Sequence, residues 1–144
     1  MGADARDERI QVACEFMLEN AQHLTSRGFS QRGGRNGGLA SGVIPCLTGN
    51  MLWVLVRFDF LDDPRVQSVI DWIVKYQRFD DGEGKTPSSW PYGNWEICWG
   101  RHTCHMGVVK ALKAFAEILI EKKIKGSPSN ARTCCRIYVD PSYF

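Results

Sequence analysis

The sequence predicts an all-α fold built from two copies of a helix-loop-helix unit. Apolar residues recur at helical spacing in four segments, and long glycine-rich stretches separate these segments. Two short matches also recur at nearly the same offset: RIQ at 9–11 matches RVQ 56 residues later, and CLTG at 46–49 matches CHMG 58 residues later. Units of this kind stack because neither copy buries its apolar face alone. The predicted architecture is therefore a partial repeat of two helix pairs.

Composition and charge exclude several classes of protein. The 144 residues are 44% hydrophobic and 24% charged, which excludes a disordered, collagen-like or low-complexity chain. The net charge is only +2 and the signs alternate along the chain, so we expect no nucleic-acid partner. The longest apolar runs, 51–56 and 114–120, fall far short of the roughly 20 residues that span a bilayer. Six cysteines without a visible export signal favour reduced thiols in the cytoplasm.

The first unit is predicted from two helices and the loop between them. A helix over 9–20 carries one apolar face, and a loop over 25–42 contains six glycines. A second helix over 46–58 follows Pro45 and is apolar nearly all round, so we expect it to pack on more than one side. The apolar face of the first helix consists of Ile10, Ala13, Cys14, Met17 and Leu18.

The second unit repeats this order. Asp62 or Asp63 is predicted to cap a helix over 64–77, and a second long loop covers 78–100. A final helix over 102–121 is apolar except for one polar stripe. The repeat stops there, which predicts a helical domain over 1–126 and an irregular tail over 127–144. The polar stripe consists of Lys110, Lys113, Glu117 and Glu121.

This arrangement resembles the α/α toroid of terpenoid cyclases and protein prenyltransferases. The resemblance is carried by the alternation of half-buried and buried helices, and by the loop segment QRFDDG at 77–82 followed by Trp90 and Trp95. In addition, CWGRHTCHMG at 98–107 is similar to the His-Thr-Cys segment of prenyltransferase β-subunits, where the histidine is a zinc ligand. The resemblance implies a partial toroid, a metal-binding role for His102 and a hydrophobic, isoprenoid-like substrate. The Asp-x-Cys zinc pair of that family does not occur in this sequence.

The residues themselves also suggest zinc. Cys98, His102 and Cys104 lie close together in the sequence, and thiolate and imidazole are the ligands that zinc prefers. If the two buried helices run side by side, Cys46 joins them and completes a Cys₃His site. Two alternatives stay open: the cysteines are small buried apolar groups, or Cys104 is a nucleophile at a helix N-terminus with His102 as its base.

Aromatic residues and the final helix suggest what the protein binds. Trp95 and Trp99 in the second loop are candidates for lining a substrate cavity, although loop tryptophans also serve simply as packing. The final helix lacks a neighbour in a two-pair repeat, so we expect a homo-oligomer or a fragment of a longer toroid. Two functions follow: a prenyltransferase-like or terpene-cyclase-like domain with zinc as its suggested cofactor, or a non-catalytic module that binds another protein chain. The second predicts that no metal is bound and that an apolar face is exposed where a third repeat would pack, next to the final helix.

Overall fold

The structure, a computed structural model, describes residues 4–79, 85–99 and 104–124. Regular structure in these ranges is helical, and the β-type contacts there are two isolated bridges. The prediction of an all-α protein is therefore confirmed for the described part of the chain, while the predicted tail over 127–144 lies outside it. No helix in the described ranges is long and apolar enough to cross a membrane. The elements are α1 (Glu8–Asn20), a 3₁₀ turn (Ala40–Gly42), α2 (Pro45–Arg57), α3 (Pro64–Tyr76), the single-turn α4 (Glu96–Trp99) and α5 (His105–Ile124).

Three of the four predicted helices begin and end within one residue of their predicted limits, and α5 is the exception. It begins at His105 rather than at residue 102, because the Cys104 carbonyl accepts the first helical hydrogen bond from Val108 and the Cys104 thiol accepts from the Gly107 N–H. It continues three residues past residue 121, where two lysines complement the negative end of the helix dipole. Inside the second predicted loop, the structure adds α4, which the sequence analysis did not predict.

The sequence repeat corresponds to a structural repeat at the starts of α1 and α3. Asp7 accepts a hydrogen bond from the Arg9 N–H, and Asp63, 56 residues later, accepts one from the Arg65 N–H. In both units the arginine side chain also pairs with the same aspartate. Arg65 additionally binds Glu15 of α1 through two hydrogen bonds of 2.9 and 3.0 Å. The matching triplets at 9–11 and 65–67 therefore follow equivalent helix caps, Asp7 and Asp63. In the second unit, Arg65 also links α3 to α1.

The apolar faces of α1 and α3 are buried to different extents. The apolar stripe of α3 is buried except at its end, where Tyr76 is half-buried; it consists of Val66, Val69, Ile70, Ile73 and Tyr76. In α1, Cys14 and Leu18 are buried while Ala13, predicted on the same face, is exposed beside an open cleft between α1 and α2. The residues that line this cleft include Ile10, Ala13, Cys14, Met17, Val54 and Phe58.

The helix α2 lies at the centre of the described fold and packs against both α3 and α5. This confirms that the second predicted helix is packed on more than one side. The α2 and α5 helices are parallel. At their starts Gly107 lies near Pro45, and further along both helices Glu117 pairs with Arg57. Glycine permits the close approach, since a Cβ on Gly49 would lie 2.8 Å from the backbone nitrogen of Ala111. The N-terminal ends of the two helices are consequently adjacent.

Candidate thiol site

Three cysteines from both repeats meet at the adjacent N-terminal ends of α2 and α5. Cys46 is the second residue of α2, Cys104 directly precedes α5, and Cys98 lies in α4. Cys46 and Cys104 are both close enough to Cys98 to raise the pKa of its thiol. All three are half-buried, and none forms a disulfide with another described cysteine. The structure therefore brings together three of the four predicted metal ligands, whereas His102 lies outside the described residues.

The close contact between the starts of α2 and α5 determines where Cys46 and Cys104 lie. A Cβ on Gly107 would lie 3.0 Å from the Cβ of Pro45, so the helix starts are in direct contact. The Gly107 N–H donates to the Cys104 sulfur at 3.4 Å, in the manner of a side chain that caps a helix. Cys46 and Cys104 therefore both lie at the N-terminal, positive end of a helix dipole.

The third cysteine is positioned by contacts between the two long loops. The Trp95 indole N–H donates to the Ser41 carbonyl at 2.6 Å, and the Asn94 side-chain amide donates to the Ala40 carbonyl at 3.2 Å. These bonds anchor the segment that precedes α4 onto the 3₁₀ turn directly before α2. Because Cys98 follows Trp95 by three residues and its N–H bonds to the Trp95 carbonyl, the anchor places Cys98 beside the start of α2.

Burial and neighbouring thiols oppose the ionisation of Cys46 and Cys98. Burial, followed by the negative charges that Cys104 and Cys46 would carry, raises the pKa of the Cys98 thiol to about 11. Burial and the neighbouring Cys104 also raise the pKa of Cys46. Removing several protons from one compact cluster accumulates negative charge, so ionisation requires a compensating positive charge. A divalent cation supplies that charge, which is why metal binding and thiol deprotonation are coupled.

The cluster has the donor chemistry of a zinc site but not yet its full geometry. In a tetrahedral zinc site, thiolate sulfurs lie about 2.3 Å from the ion. Within the described ranges, no group of three or more His, Cys, Asp or Glu side chains is arranged so that it could hold a metal ion. The side chains of Cys46, Cys98 and Cys104 would therefore have to turn towards a shared centre to bind one.

The nucleophile hypothesis depends on residues that the structure covers only in part. Cys104 lies at a helix N-terminus as predicted, but its proposed base, His102, is outside the described residues. The raised pKa values of Cys46 and Cys98 leave them as neutral thiols near pH 7, and a neutral thiol is a poor nucleophile. A role for either as a free catalytic thiol is thus disfavoured on physical grounds, and the role of Cys104 stays a prediction.

The two tryptophans predicted to line a substrate cavity have different surroundings. Trp99 is 2% exposed and packs edge-on against Trp72 and Tyr92, with ring centroids 5.7 and 5.4 Å away. Trp95 is half-buried, donates its indole N–H to Ser41, and has the Arg32 guanidinium 5.7 Å from its ring centroid. Both side chains therefore have structural contacts of their own. Their role in binding a substrate stays a prediction.

The sequence analysis missed the residues that bring the three thiols together. Gly49 and Gly107 each lie three residues after a clustered cysteine, and both occur in the CLTG and CHMG match. The match predicts a repeat and the proximity of Cys46 to Cys104, but the glycines in it were not linked to the close contact of the two helices. The loop contacts of Asn94 and Trp95 had no such signal, because they join residues 54 positions apart.

Comparisons with models of protein families, with curated proteins and with solved structures found no match for this chain.

Proposed function

We propose that this protein is a zinc-binding helical domain in which Cys46, Cys98 and Cys104 ligate the ion. The observation that carries the proposal is the convergence of three thiols, drawn from both repeats, at the starts of two parallel helices. The fourth ligand is His102, as the sequence predicts. Zinc bound in this way would cross-link the two repeats and add its binding free energy to the stability of the fold.

The arrangement favours zinc over simple packing of small apolar residues. A buried cysteine that only fills space has no need of other thiols as neighbours, and Cys14 is buried in α1 in this way. Cys104 and Cys46 raise the pKa of Cys98, and Cys104 raises that of Cys46, a penalty that a bound cation reverses. Two of them also lie at helix N-termini, where a metal-bound thiolate is stabilised.

The proposal includes a relationship to α/α toroids and their chemistry. Parallel second helices packed side by side, with the first helices of each unit tied together by Arg65, fit two adjacent pairs of such a ring. If four protein ligands surround the zinc, its role is structural; if water takes the fourth position, the ion can activate a nucleophile. A hydrophobic, isoprenoid-like substrate is the class that the resemblance to prenyltransferases and terpenoid cyclases suggests.

Elemental analysis of the purified, reduced protein tests the zinc proposal. We expect about one zinc per chain, and its loss in Cys98→Ser and in His102→Ala. Cys14→Ala is the matched control: this cysteine lies beside Val54 and Phe58, at the opposite end of α2 from Cys46, and the variant should retain zinc. A folded wild-type protein without zinc, or zinc retained in Cys98→Ser, would contradict the proposal.

One observation favours a second candidate function, a non-catalytic module that binds another protein chain. The final helix has an exposed apolar face, as that hypothesis predicts. Exposed apolar surface of this extent on one helix is typical of an interaction site. This function predicts no bound metal, so the elemental analysis above distinguishes it from the zinc proposal, and a measurement of association in solution tests it directly.

A further inference from the structure

The first long loop carries positive charges that pair with no carboxylate in the described part of the chain. Arg27, Arg32 and Arg35 lie in this loop, and residues 20–58 contain no aspartate or glutamate. The salt bridges of the described residues involve other arginines, near the starts of α1 and α3 and at the end of α2. We call residues 22–39 the arginine loop.

Acidic side chains on the neighbouring helices do not neutralise the arginine loop. Glu19 lies in the last turn of α1, and Asp71 lies on α3 beside Trp72, which contacts this loop. Among the described residues, neither carboxylate forms a salt bridge. Burial, followed by the positive charge of Arg27, lowers the pKa of His23, so this histidine is neutral near pH 7. The positive charge of the loop therefore comes from its arginines.

Backbone hydrogen bonds fix the arginine loop against the end of α1. The Gly34 N–H donates to the Asn20 carbonyl at 2.9 Å, and the Gly38 N–H donates to the Gln22 carbonyl at 2.9 Å. The buried side chain of Gln22 donates in turn to the Arg27 carbonyl at 3.1 Å. A partner therefore meets a surface that is already ordered, which lowers the entropic cost of binding.

The three arginines belong to two turns that contact each other. The first turn ends at Arg27, and the second has Arg35 at its tip and follows directly after Arg32. The side chain of Leu24 in the first turn lies against the second turn, because a Cβ on Gly37 would be 3.2 Å from the Leu24 Cγ. The arginine loop is thus one compact surface with three cationic side chains.

The arginines are suited to bind carboxylates. The Arg32 guanidinium lies 5.7 Å from the centroid of the Trp95 ring, and both Arg32 and Arg35 are exposed. Contact with a ring face orients a guanidinium and leaves the N–H donors at its edge available. These donors form a planar fork that matches the two oxygens of a carboxylate.

Exposed leucines beside the arginines favour a protein partner over a nucleic acid. Leu24 is 57% exposed and Leu39 is 59% exposed. Leu39 lies directly beside Arg32, since its N–H donates to the Arg32 carbonyl at 2.9 Å. Contacts with phosphates alone would leave both leucines uncovered, and the net charge of only +2 gives little attraction to a polyanion. A peptide that carries both acidic and apolar side chains matches both features.

We propose that the arginine loop binds an acidic segment of another protein, with carboxylates on its three arginines and apolar side chains on Leu24 and Leu39. The inference goes beyond the zinc proposal and concerns a different surface from the exposed side of α5. Zinc content and peptide binding are measured separately, so failure of one leaves the other standing.

Fluorescence anisotropy tests the proposal with a short labelled peptide of glutamate, serine and leucine, titrated with the complete, reduced protein at low salt. We expect the peptide to bind, and to bind more weakly as salt screens the exposed charges. Arg32→Gln and Arg35→Gln should each weaken binding about threefold, and the double variant about tenfold. Leu39→Ser should weaken binding of this peptide but not of a version without leucine.

Arg6→Gln is the matched control, because it removes the same charge from an exposed side chain. Arg6 precedes α1 whereas the arginine loop follows it, so a helix about 20 Å long separates them and the variant should bind as the wild type does. Circular dichroism of each variant checks that the helices are retained.

The proposal is overturned if the peptide does not bind at low salt, if the double variant binds it as tightly as the wild type, or if a peptide with glutamine in place of glutamate binds equally well. Tighter binding of a single-stranded oligonucleotide or of phosphatidylserine vesicles, lost in the same double variant, overturns it equally.

Discussion

At the scale of single residues, the start of α3 depends on the carboxylate of Asp63. Asp63 caps the helix by accepting from the Arg65 N–H at 2.7 Å, and its carboxylate also binds the Arg65 guanidinium. The Arg65 side chain extends the network to Glu15 of α1. The hydrogen bonds from Arg65 hold the pKa of Asp63 below its ordinary value. One carboxylate thus begins a helix and orients the arginine that ties two helices together.

Replacement of Asp63 should separate its capping role from its charge. Asp63→Ala removes both and should cost about 1–2 kcal/mol of unfolding free energy, whereas Asp63→Asn keeps a capping oxygen and should cost less. Because the pKa of Asp63 is lowered on folding, its charge stabilises the protein above the ordinary aspartate pKa, and this stabilisation is lost as pH falls through the lowered value.

Urea unfolding at a series of pH values measures this effect. The stability of the wild type should fall more steeply than that of Asp63→Asn as pH drops below about 5. Asp71→Asn, an exposed change on the same helix, serves as the control and should follow the wild-type curve. Equal pH dependence in the wild type and Asp63→Asn would show that Arg65 does not stabilise the charged form of Asp63.

At the scale of elements, the packing of α2 on α5 determines the position of two of the three thiols. The contact is close because Gly49 has no side chain, and it is reinforced further along the helices by polar contacts. The Trp53 indole N–H donates to Glu117 at 3.1 Å, Arg57 pairs with the same carboxylate, and the Lys113 ammonium lies 3.2 Å from the centroid of the Trp53 ring. The register of the two helices is thus specified along most of α2.

Gly49→Ala should destabilise the protein although alanine favours helix formation. The added Cβ would lie 2.8 Å from the backbone of α5, and relieving that overlap should cost about 1–3 kcal/mol, against roughly 1 kcal/mol gained in helix propensity. The displaced helices should also bind zinc more weakly, because Cys46 and Cys104 move apart. Thermal unfolding and zinc competition with a chelating dye measure both effects.

Gly93→Ala is the control for this substitution. A Cβ at Gly93 would meet no atom within 4 Å, so the change should leave stability and zinc affinity close to those of the wild type. If Gly49→Ala were as stable as the wild type, the helices would not be as close at this position as the structure shows.

The sequence predicted the helices better than it predicted what they contact. Periodicity and capping residues located α1, α2 and α3 because these signals are local. The neighbours of a side chain are not local: Phe16 and Trp72 occupy matching positions of the repeat, yet Phe16 is 64% exposed and Trp72 is 2% exposed. Trp72 is covered by Gly28, from the first long loop, and by Trp99, from α4 within the second. The sequence predicted the thiol cluster from its repeat, but the loop contacts that position Cys98 required the structure.

At the scale of the whole molecule, the two repeats are joined in three ways. The Arg65 network links α1 to α3, the α2–α5 contact links the second helices, and Trp95 links the two long loops. The thiol cluster lies where the second and third of these meet. In the described part of the chain, two of these connections meet at the proposed metal site, and a bound ion would stabilise the native state more the more tightly it binds.

The most direct test of the central claim, that three thiolates from both repeats bind one metal ion, is a cobalt(II) titration of the metal-stripped protein. Cobalt bound to thiolates absorbs in the near ultraviolet with an intensity that increases with the number of thiolate ligands. We predict saturation at one cobalt per chain and a weaker band in each of Cys46→Ser, Cys98→Ser and Cys104→Ser, with Cys14→Ala unchanged. A missing band in the folded wild-type protein, or a band that none of the three serine variants alters, would contradict the account.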